Sequence, residues 1–327
     1  MKNKFSIILT INGEYYYLQN LISKLISQKN IISSNYELII VDANPNYNNE
    51  YNEIEKSTLN IKFFNIKNIS RTKGLNLAIK QSLHEIIVRM DVRTVFNEYY
   101  LYDLITLYEN EKCSNVGFIQ KQIYENNKYI QKIVSKIMNN KYVNGLAKYR
   151  LENYNGEVDT LYLGCFNKKD LILAGMYDEK NPLISEDADL NFRLKKLNKK
   201  IFISSNNIVN YMARDNLKDH FRKIIEYGIS KAIFFKKHYS FSNVRQILAI
   251  SFFCFLILTF ILSLFFYHIL YLLFVLSTIY CVFFLIISYL LSDNLKSILL
   301  HFFIIFSYHL MWYLSFLYGI VFKKYNK

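Results

Sequence analysis

Hydrophobic positions divide this chain near Arg245. Before that point, short apolar runs alternate with stretches of helical period. Phe5–Ile11 is a compact run of strand type, and Glu14–Gln28 follows with Leu18, Leu21, Leu25 and Ile26 at helical spacing. Tyr36–Asp42 predicts a second strand ending in an acid, and Ala43–Asn46 predicts a turn. A third strand is expected over Ile61–Ile66, then a helix over Arg71–Ser82 with Leu75, Ala78 and Ile79 on one side. Glu85–Asp91 predicts a fourth strand, again ending in an acid, and Asn97–Tyr108 another helix. Continuous apolar strands alternating with helices imply an α/β fold: a mostly parallel sheet covered by helices on both faces. Such sheets bind ligands outside the carboxyl ends of their strands, where Asp42 and Asp91 fall.

After Arg245 the pattern changes. Between Gln246 and Phe322 the only Asp, Glu, Lys or Arg residues are Asp293 and Lys296. A spanning helix needs ~20 largely apolar residues, and residues 247–267, 269–291 and 297–322 meet that requirement. Leu217–Tyr239 reads as a basic amphipathic helix, with Leu217, Phe221, Ile224 and Ile225 on its apolar side. Its alternative is an ordinary surface helix. The expected organisation is an α/β domain over 1–210, a strand end and interface helix over 211–245, and a transmembrane region over 246–322. The Lys/Arg cluster before Arg245 places the first domain on the cytoplasmic side of a multi-pass protein of the cell membrane. Three crossings would carry Lys323 and Lys324 outside, against the same rule. The short Tyr267-His268 link also allows a tight hairpin or a re-entrant pair, so the side of the last residues stays open.

Composition narrows the partners. The net charge is +14 and aromatic residues make up 17% of the chain. No nucleic-acid motif accompanies that charge, so membrane lipids are the expected partner rather than nucleic acid. Cys113, Cys165, Cys254 and Cys281 are scattered, which suggests neither a zinc site nor a disulfide framework. The apolar run after Met1-Lys2-Asn3-Lys4 is too short for a signal peptide. No GxGxxG or GxxxxGK[ST] is present, so a dinucleotide fold or P-loop is not supported. A nucleotide site without a glycine-rich phosphate loop needs another counter-charge. A divalent cation on a strand-end carboxylate would supply one.

The chemistry concentrates in Ile184-Ser185-Glu186-Asp187-Ala188-Asp189-Leu190-Asn191-Phe192-Arg193-Leu194. Leu190, Leu194 and Leu197 share one helical face, Ser185 is a candidate N-cap, and acids suit a first turn. Alone, this stretch is either a capped helix with its charges in water or a helix that aims a catalytic carboxylate into a cleft. Arg71 and Lys73 are open in the same way, as phosphate contacts or as a solvated helix start.

The motifs together resemble family 2 glycosyltransferases of the GT-A fold, of the membrane-bound succinoglycan or exopolysaccharide type. Phe5–Ile11 and Tyr36–Asp42 are similar to the family's first two strands. Ser70-Arg71-Thr72-Lys73-Gly74-Leu75-Asn76-Leu77-Ala78 resembles its Gly-Leu-Asn-x-Ala helix, and Arg89-Met90-Asp91 the strand leading to a DxD-type motif. Asn144–Arg150, Val158–Thr160 and Gly164–Phe166 resemble the acceptor-side region. Gly175–Glu179 precedes Glu186-Asp187 in the family's order, and Tyr211-Met212-Ala213-Arg214 is similar to its Tyr-x-x-Arg strand. Two positions depart: Ala43 replaces a second acid, and Arg93 stands at a DxD position where guanidinium cannot ligate a metal.

The resemblance implies transfer of one sugar from a nucleotide-diphosphate sugar to a hydroxyl of a lipid-linked, polyprenyl diphosphate glycan. The setting would be exopolysaccharide, capsule or O-antigen synthesis, with inversion at the anomeric carbon. It implies Asp187 as the base with Glu186 in support. Asp42, Arg71, Lys73, Asp91 and Arg93 would serve the donor, and Asp159 and Arg214 the acceptor. Asp91 would hold Mg2+ or Mn2+, and Asp189 is expected to be solvated or structural. Lys223 stands where the family often has Gln, and Gln-x-x-Arg-Trp is absent. Both argue for adding a single sugar. The alternatives are a polyprenyl-phosphate glycosyl synthase and a non-catalytic protein that binds nucleotide sugar or lipid.

Overall fold

A computed structural model describes residues 3–47, 59–181, 185–241 and 243–325. In chain order the elements are β1 (Phe5–Ile11), α1 (Tyr15–Ile26), β2 (Tyr36–Asp42), β3 (Asn60–Asn65), α2 (Arg71–Gln81), β4 (Ile86–Arg89), β5 (Thr94–Val95) and α3 (Tyr100–Glu111). Then come β6 (Asn115–Ile123), α4 (Tyr129–Asn139), β7 (Gly156–Glu157), β8 (Gly164–Asn167), α5 (Lys168–Leu173), α6 (Glu186–Lys196) and β9 (Ile201–Met212). The chain continues with α7 (Leu217–His238), α8 (Val244–Ser263), α9 (Ile269–Leu291) and α10 (Leu295–Phe322). Two compact units emerge: residues 3–121 with 147–212, and residues 122–146 with 213–325.

The first unit is a GT-A-like mixed sheet with strand order β3-β2-β1-β4-β8-β6-β9-β5, and β7 pairs with β9. β3, β2, β1 and β4 are parallel neighbours, as their apolar runs predict. Beyond β4 the pairing turns antiparallel at β8. Period-two alternation sends β1 side chains to two different cores. Phe5, Ile7 and Leu9 meet Leu18, Leu21 and Leu25 of α1 and Leu101, Leu104 and Ile105 of α3. Ile8, with Ile39 and Val41 of β2, meets Leu75, Ala78 and Ile79 of α2 and Leu190 and Leu194 of α6. Each such buried aliphatic contributes about 1.5–3 kcal/mol.

Local polar chemistry trims the predicted elements. β4 stops at Arg89, because the Asp91 side chain accepts the Arg93 N–H (3.1 Å) and turns the chain. In the same way Asn97 accepts the Tyr99 N–H (2.9 Å), and α3 starts at Tyr100 rather than Asn97. Leu197 falls outside the apolar stripe of α6; it is the C-cap and 40% exposed.

In the second unit, Ile133 and Ile137 of α4 join Phe284 and Ile287 of α9 and Ile304 and Ile305 of α10 in one core. Asn side chains begin three of its helices. Asn216, Asn243 and Asn294 accept the Asp219, Gln246 and Ser297 N–H at 2.8, 3.2 and 2.9 Å. α8, α9 and α10 are long and apolar enough to cross a membrane.

Gly164 has φ of +123°, and a Cβ there would overlap Asn115 Oδ1. Gly164→Ala is expected to lower unfolding stability by about 2–3 kcal/mol, read by denaturant titration. His220 is buried in α7; burial, then the Arg214 charge, push its pKa from 6.5 down to about 4. The folded ring stays neutral where the unfolded ring takes a proton, so stability is full above about 6.5 and falls as pH drops toward about 4. The melting temperature should therefore drop between about pH 7 and about pH 5, and His220→Leu should flatten that dependence.

Candidate active site

Arg89, the last residue of β4, is the centre of the site and is 1% exposed. Its Nη1 donates to Asp187 and, at 3.3 Å, to the Tyr177 hydroxyl; its Nη2 reaches Glu186 Oε1 at 2.5 Å. The guanidinium also lies over the Tyr177 ring, 5.2 Å from its centre. Arg71, the first residue of α2, continues the array. Its Nε meets Glu186 Oε1 at 2.9 Å and its Nη2 meets Asp91 Oδ2 at 3.1 Å. Charges thus alternate along Asp91, Arg71, Glu186, Arg89 and Asp187. All five lie at the carboxyl end of β4 or on the first residues of α2 and α6. Burial pushes the Asp91 carboxyl up, but the Arg71 charge, the Arg93 amide and Arg89 hold it below the usual carboxylate range. Burial pulls Arg71 down, and Glu186 and Asp91 raise it above its ordinary value.

This arrangement corrects one reading of the acid cluster. Glu186 is buried and Asp187 only partly exposed, and the partners of both are guanidinium groups. Ser185 makes no capping hydrogen bond with its side chain, so arginine, together with the helix terminus, holds this first turn. Ile184 lies outside the described residues. Asp189 is structural, not solvated. It is buried and pairs with Arg193 at 2.9 Å, and Arg193 in turn bonds the carbonyls of Ala174 and Met176.

The Gly-Leu-Asn-x-Ala helix has a mechanical role. Asn76 Nδ2 donates to the Tyr177 carbonyl (2.8 Å) and to Glu179 Oε1 (2.8 Å), while Asn76 Oδ1 accepts the Tyr177 N–H (2.9 Å). That clamp sets Tyr177 beneath Arg89. Gly74 lets α2 approach the sheet, since a Cβ there would lie 2.7 Å from Thr10 Cγ2.

Of the residues that the resemblance assigns to the donor, Asp42 is fully buried and accepts from Gly13 N (3.2 Å), Asn44 N (3.0 Å), Tyr15 Oη (2.5 Å) and Asn65 Nδ2 (3.3 Å). It ties the loops that follow β1 and β2 to the end of β3. Arg93 pairs with Glu14 (3.0 Å) and stacks over Tyr17 (4.6 Å). Lys73 is exposed, and its ammonium has no partner among the described residues. Asp159 is half-buried, and its neighbour Thr160 is bonded by Asn191 of α6 (3.2 Å). Arg214 belongs to the second unit and is half-buried. Arg89 and Tyr177 are site residues that the motif reading did not assign. The signal was available: a charged residue inside an otherwise apolar strand needs a buried counter-charge.

Residues 6–167 match glycosyl transferase family 2. That stretch is similar to a family 2 domain. The match runs from β1 through β8 and includes Asp42, Arg71, Arg89 and Asp91; Glu186 and Asp187 lie beyond it. Among solved structures, the mannosyltransferase PcManGT from Pyrobaculum calidifontis, in complex with GDP-Man and Mn2+, has a TM-score of 0.53 at 10% identity, over 72% of this chain and 64% of that one. S. aureus TarS 1-349 in complex with UDP-GlcNAc has a TM-score of 0.49 at 18% identity, over 69% and 66%. The chain spans less than two thirds of each of these neighbours. The likeness to PcManGT is one of fold. No protein of curated function matches the chain in sequence.

Among the described residues no group of three or more His, Cys, Asp or Glu side chains converges on a metal position. Among the described residues the candidate ligand is Asp91, with one oxygen on Arg71 and the other on the Arg93 amide. That donor set fits a cation only if a bound diphosphate supplies further oxygens, as magnesium sites with one protein carboxylate allow.

Replacing Arg89 leaves two carboxylates facing an apolar group. Arg89→Met is expected to cost about 3–5 kcal/mol of stability, read by thermal or chemical unfolding. Adding Glu186→Gln to that variant should recover part of the loss, which a double-mutant cycle measures.

Proposed function

We propose that the protein is a membrane-bound inverting glycosyltransferase of the hexosyltransferase type. It moves one sugar from a nucleotide-diphosphate sugar to a hydroxyl of a lipid-linked, polyprenyl diphosphate glycan, in exopolysaccharide, capsule or O-antigen assembly. The observation that carries this reading is the charge array from Asp91 to Asp187 at the carboxyl ends of the strands of a domain similar to family 2. Its helical second unit, with segments apolar enough for a bilayer, supports an acceptor that resides in the membrane.

The array divides the labour. An acceptor hydroxyl is a poor nucleophile near neutral pH, so a carboxylate takes its proton as the new bond forms. Asp187 serves as that base: its side chain is 19% exposed, whereas Glu186, held between two arginines, is 5% exposed. Arg89 orients Asp187. As the hydroxyl oxygen attacks the anomeric carbon, the bond to the donor diphosphate breaks on the opposite side. Arg71 and Lys73 stand to meet the charge gathering on the leaving group. Asp91 would hold a divalent cation jointly with that diphosphate, and the cation would supply further charge stabilisation. Asp42 fixes the loops that would receive the nucleotide, and Arg93, braced by Glu14, flanks them. Asp159 and Arg214 are assigned to the acceptor. The nucleotide sugars bound by the neighbouring structures, UDP-GlcNAc and GDP-Man, are the first donors to test.

Asp187→Asn is expected to lower turnover by about 10²–10⁴-fold. Donor binding to the purified variant should stay within about threefold of wild type. Release of nucleoside diphosphate by membranes supplied with acceptor lipid, beside calorimetric titration with the donor, checks both. A variant that keeps turnover removes the base role and favours a polyprenyl phosphate as nucleophile. No release from any donor by the wild-type protein would instead favour a non-catalytic binder. Chelation with EDTA should weaken donor binding to the wild-type protein, and Mn2+ or Mg2+ should restore it. Asp91→Asn should abolish that metal dependence.

A further inference from the structure

Two buried hydroxyl oxygens near Asp91, Thr94 Oγ1 and Tyr162 Oη, have no hydrogen-bond partner among the described residues. Thr94 opens β5 and is 3% exposed. Its backbone N–H donates to the Asp91 carbonyl at 3.0 Å, which turns the chain back just past the end of β4. In the β5–β9 pair Thr94 stands opposite Tyr211, and the Tyr162 ring meets Tyr211 edge to face, with centres 5.8 Å apart. Thr94, Tyr162 and Tyr211 thus form one group at the Asp91 end of the charge array. Leu161 and Leu163, on either side of Tyr162, are buried in two separate cores, which fixes the segment that carries the ring.

A buried hydroxyl without a partner costs stability, and each such group in a native protein calls for an explanation. Asp91 does not supply the partner, since its oxygens accept from Arg71 and from the Arg93 amide. Burial, then the Asp91 charge, push the Tyr162 pKa well above its ordinary value, against the nearby Thr94 hydroxyl and the Arg71 charge. The phenol therefore keeps its proton at neutral pH and offers a hydrogen-bond donor. The Thr94 hydroxyl offers a second. Two hydroxyl donors with a guanidinium beside them suit an acceptor that carries negative charge and several lone pairs. A phosphate oxygen has both properties, and hydrogen bonds to it are charge-assisted. A sugar hydroxyl is neutral and gains less from Arg71.

We propose that Thr94 and Tyr162 are donor-binding residues, whose hydroxyls donate to phosphate oxygens of the nucleotide-sugar diphosphate. The proposal rests on the reading of Asp91 and Arg71 as the diphosphate end of the site. It also reassigns a stretch of chain. Tyr162 lies between Val158–Thr160 and Gly164–Phe166, which resemble acceptor-side segments, yet its hydroxyl serves the donor. Both hydroxyls are satisfied by the ligand and not by the fold, so their removal weakens binding without weakening the protein.

The test uses Tyr162→Phe and Thr94→Val, each of which removes one hydroxyl and keeps the shape of the side chain. Both purified variants should melt no lower than the wild-type protein, because the group removed makes no hydrogen bond. UDP, GDP and inorganic pyrophosphate are then titrated calorimetrically with Mg2+ present. Each variant should bind the preferred nucleoside diphosphate about tenfold more weakly than wild type, with a matching loss for pyrophosphate. A variant that melts several degrees lower would assign its hydroxyl to folding and overturn the proposal. Nucleoside diphosphate binding as tight as wild type would overturn it too. A loss for UDP or GDP but not for pyrophosphate would put the hydroxyl against the nucleoside, again overturning it. In these three outcomes the wild-type protein still binds nucleotide, so the glycosyltransferase reading stands. A wild-type protein that binds no nucleoside diphosphate overturns both.

Discussion

A guanidinium group cannot be buried without its counter-charge, and Arg89 makes that constraint the organising fact of the first unit. The residue ends a strand whose preceding neighbours are apolar, and it is nearly inaccessible. Its charge requires carboxylates within reach, and those carboxylates come from the first turn of α6. The sheet, by holding Arg89, fixes where α6 must begin. Arg71 then shares Glu186 with Arg89, so the start of α2 is drawn into the same arrangement. Three elements far apart in sequence are registered by one buried cation.

The parallel half of the sheet was legible because its strands are buried on both faces. Phe5–Ile11 and Tyr36–Asp42 read as unbroken apolar runs for that reason, and the structure gives them the same limits. The antiparallel half was less legible. β8 is four residues long, and β9 mixes Ser and Asn with its apolar positions, so periodicity had little to act on. The acids near residue 186 were legible as a cluster. Their partner was not, because an arginine nearly a hundred residues earlier becomes adjacent only through the sheet. Asn76 illustrates the same limit: its motif was visible, but its hold on Tyr177 spans 101 residues of chain.

Polar side chains do the punctuating throughout. Asp91 and Asn97 close turns and shorten the elements beside them, while Asn216, Asn243 and Asn294 open helices in the second unit. In a chain this rich in apolar residues, helix starts are set by side-chain acceptors for otherwise unbonded amides. α8 and α10, capped by Asn243 and Asn294, begin at Val244 and Leu295, two or three residues before the apolar stretches that hydropathy locates, whereas α9, whose first turn has no side-chain cap, begins at the expected Ile269.

Gly74 brings these themes together. Its lack of a side chain lets α2 rest against Thr10 of β1 and Val41 of β2. Arg71 stands three residues earlier on the same helix, about 4.5 Å along its axis. A single methyl group at position 74 would act as a wedge beneath a rigid lever, and the guanidinium bridging Asp91 and Glu186 rides on the lever's end. The electrostatics of the site is therefore set partly by a hydrogen atom that touches none of its charges.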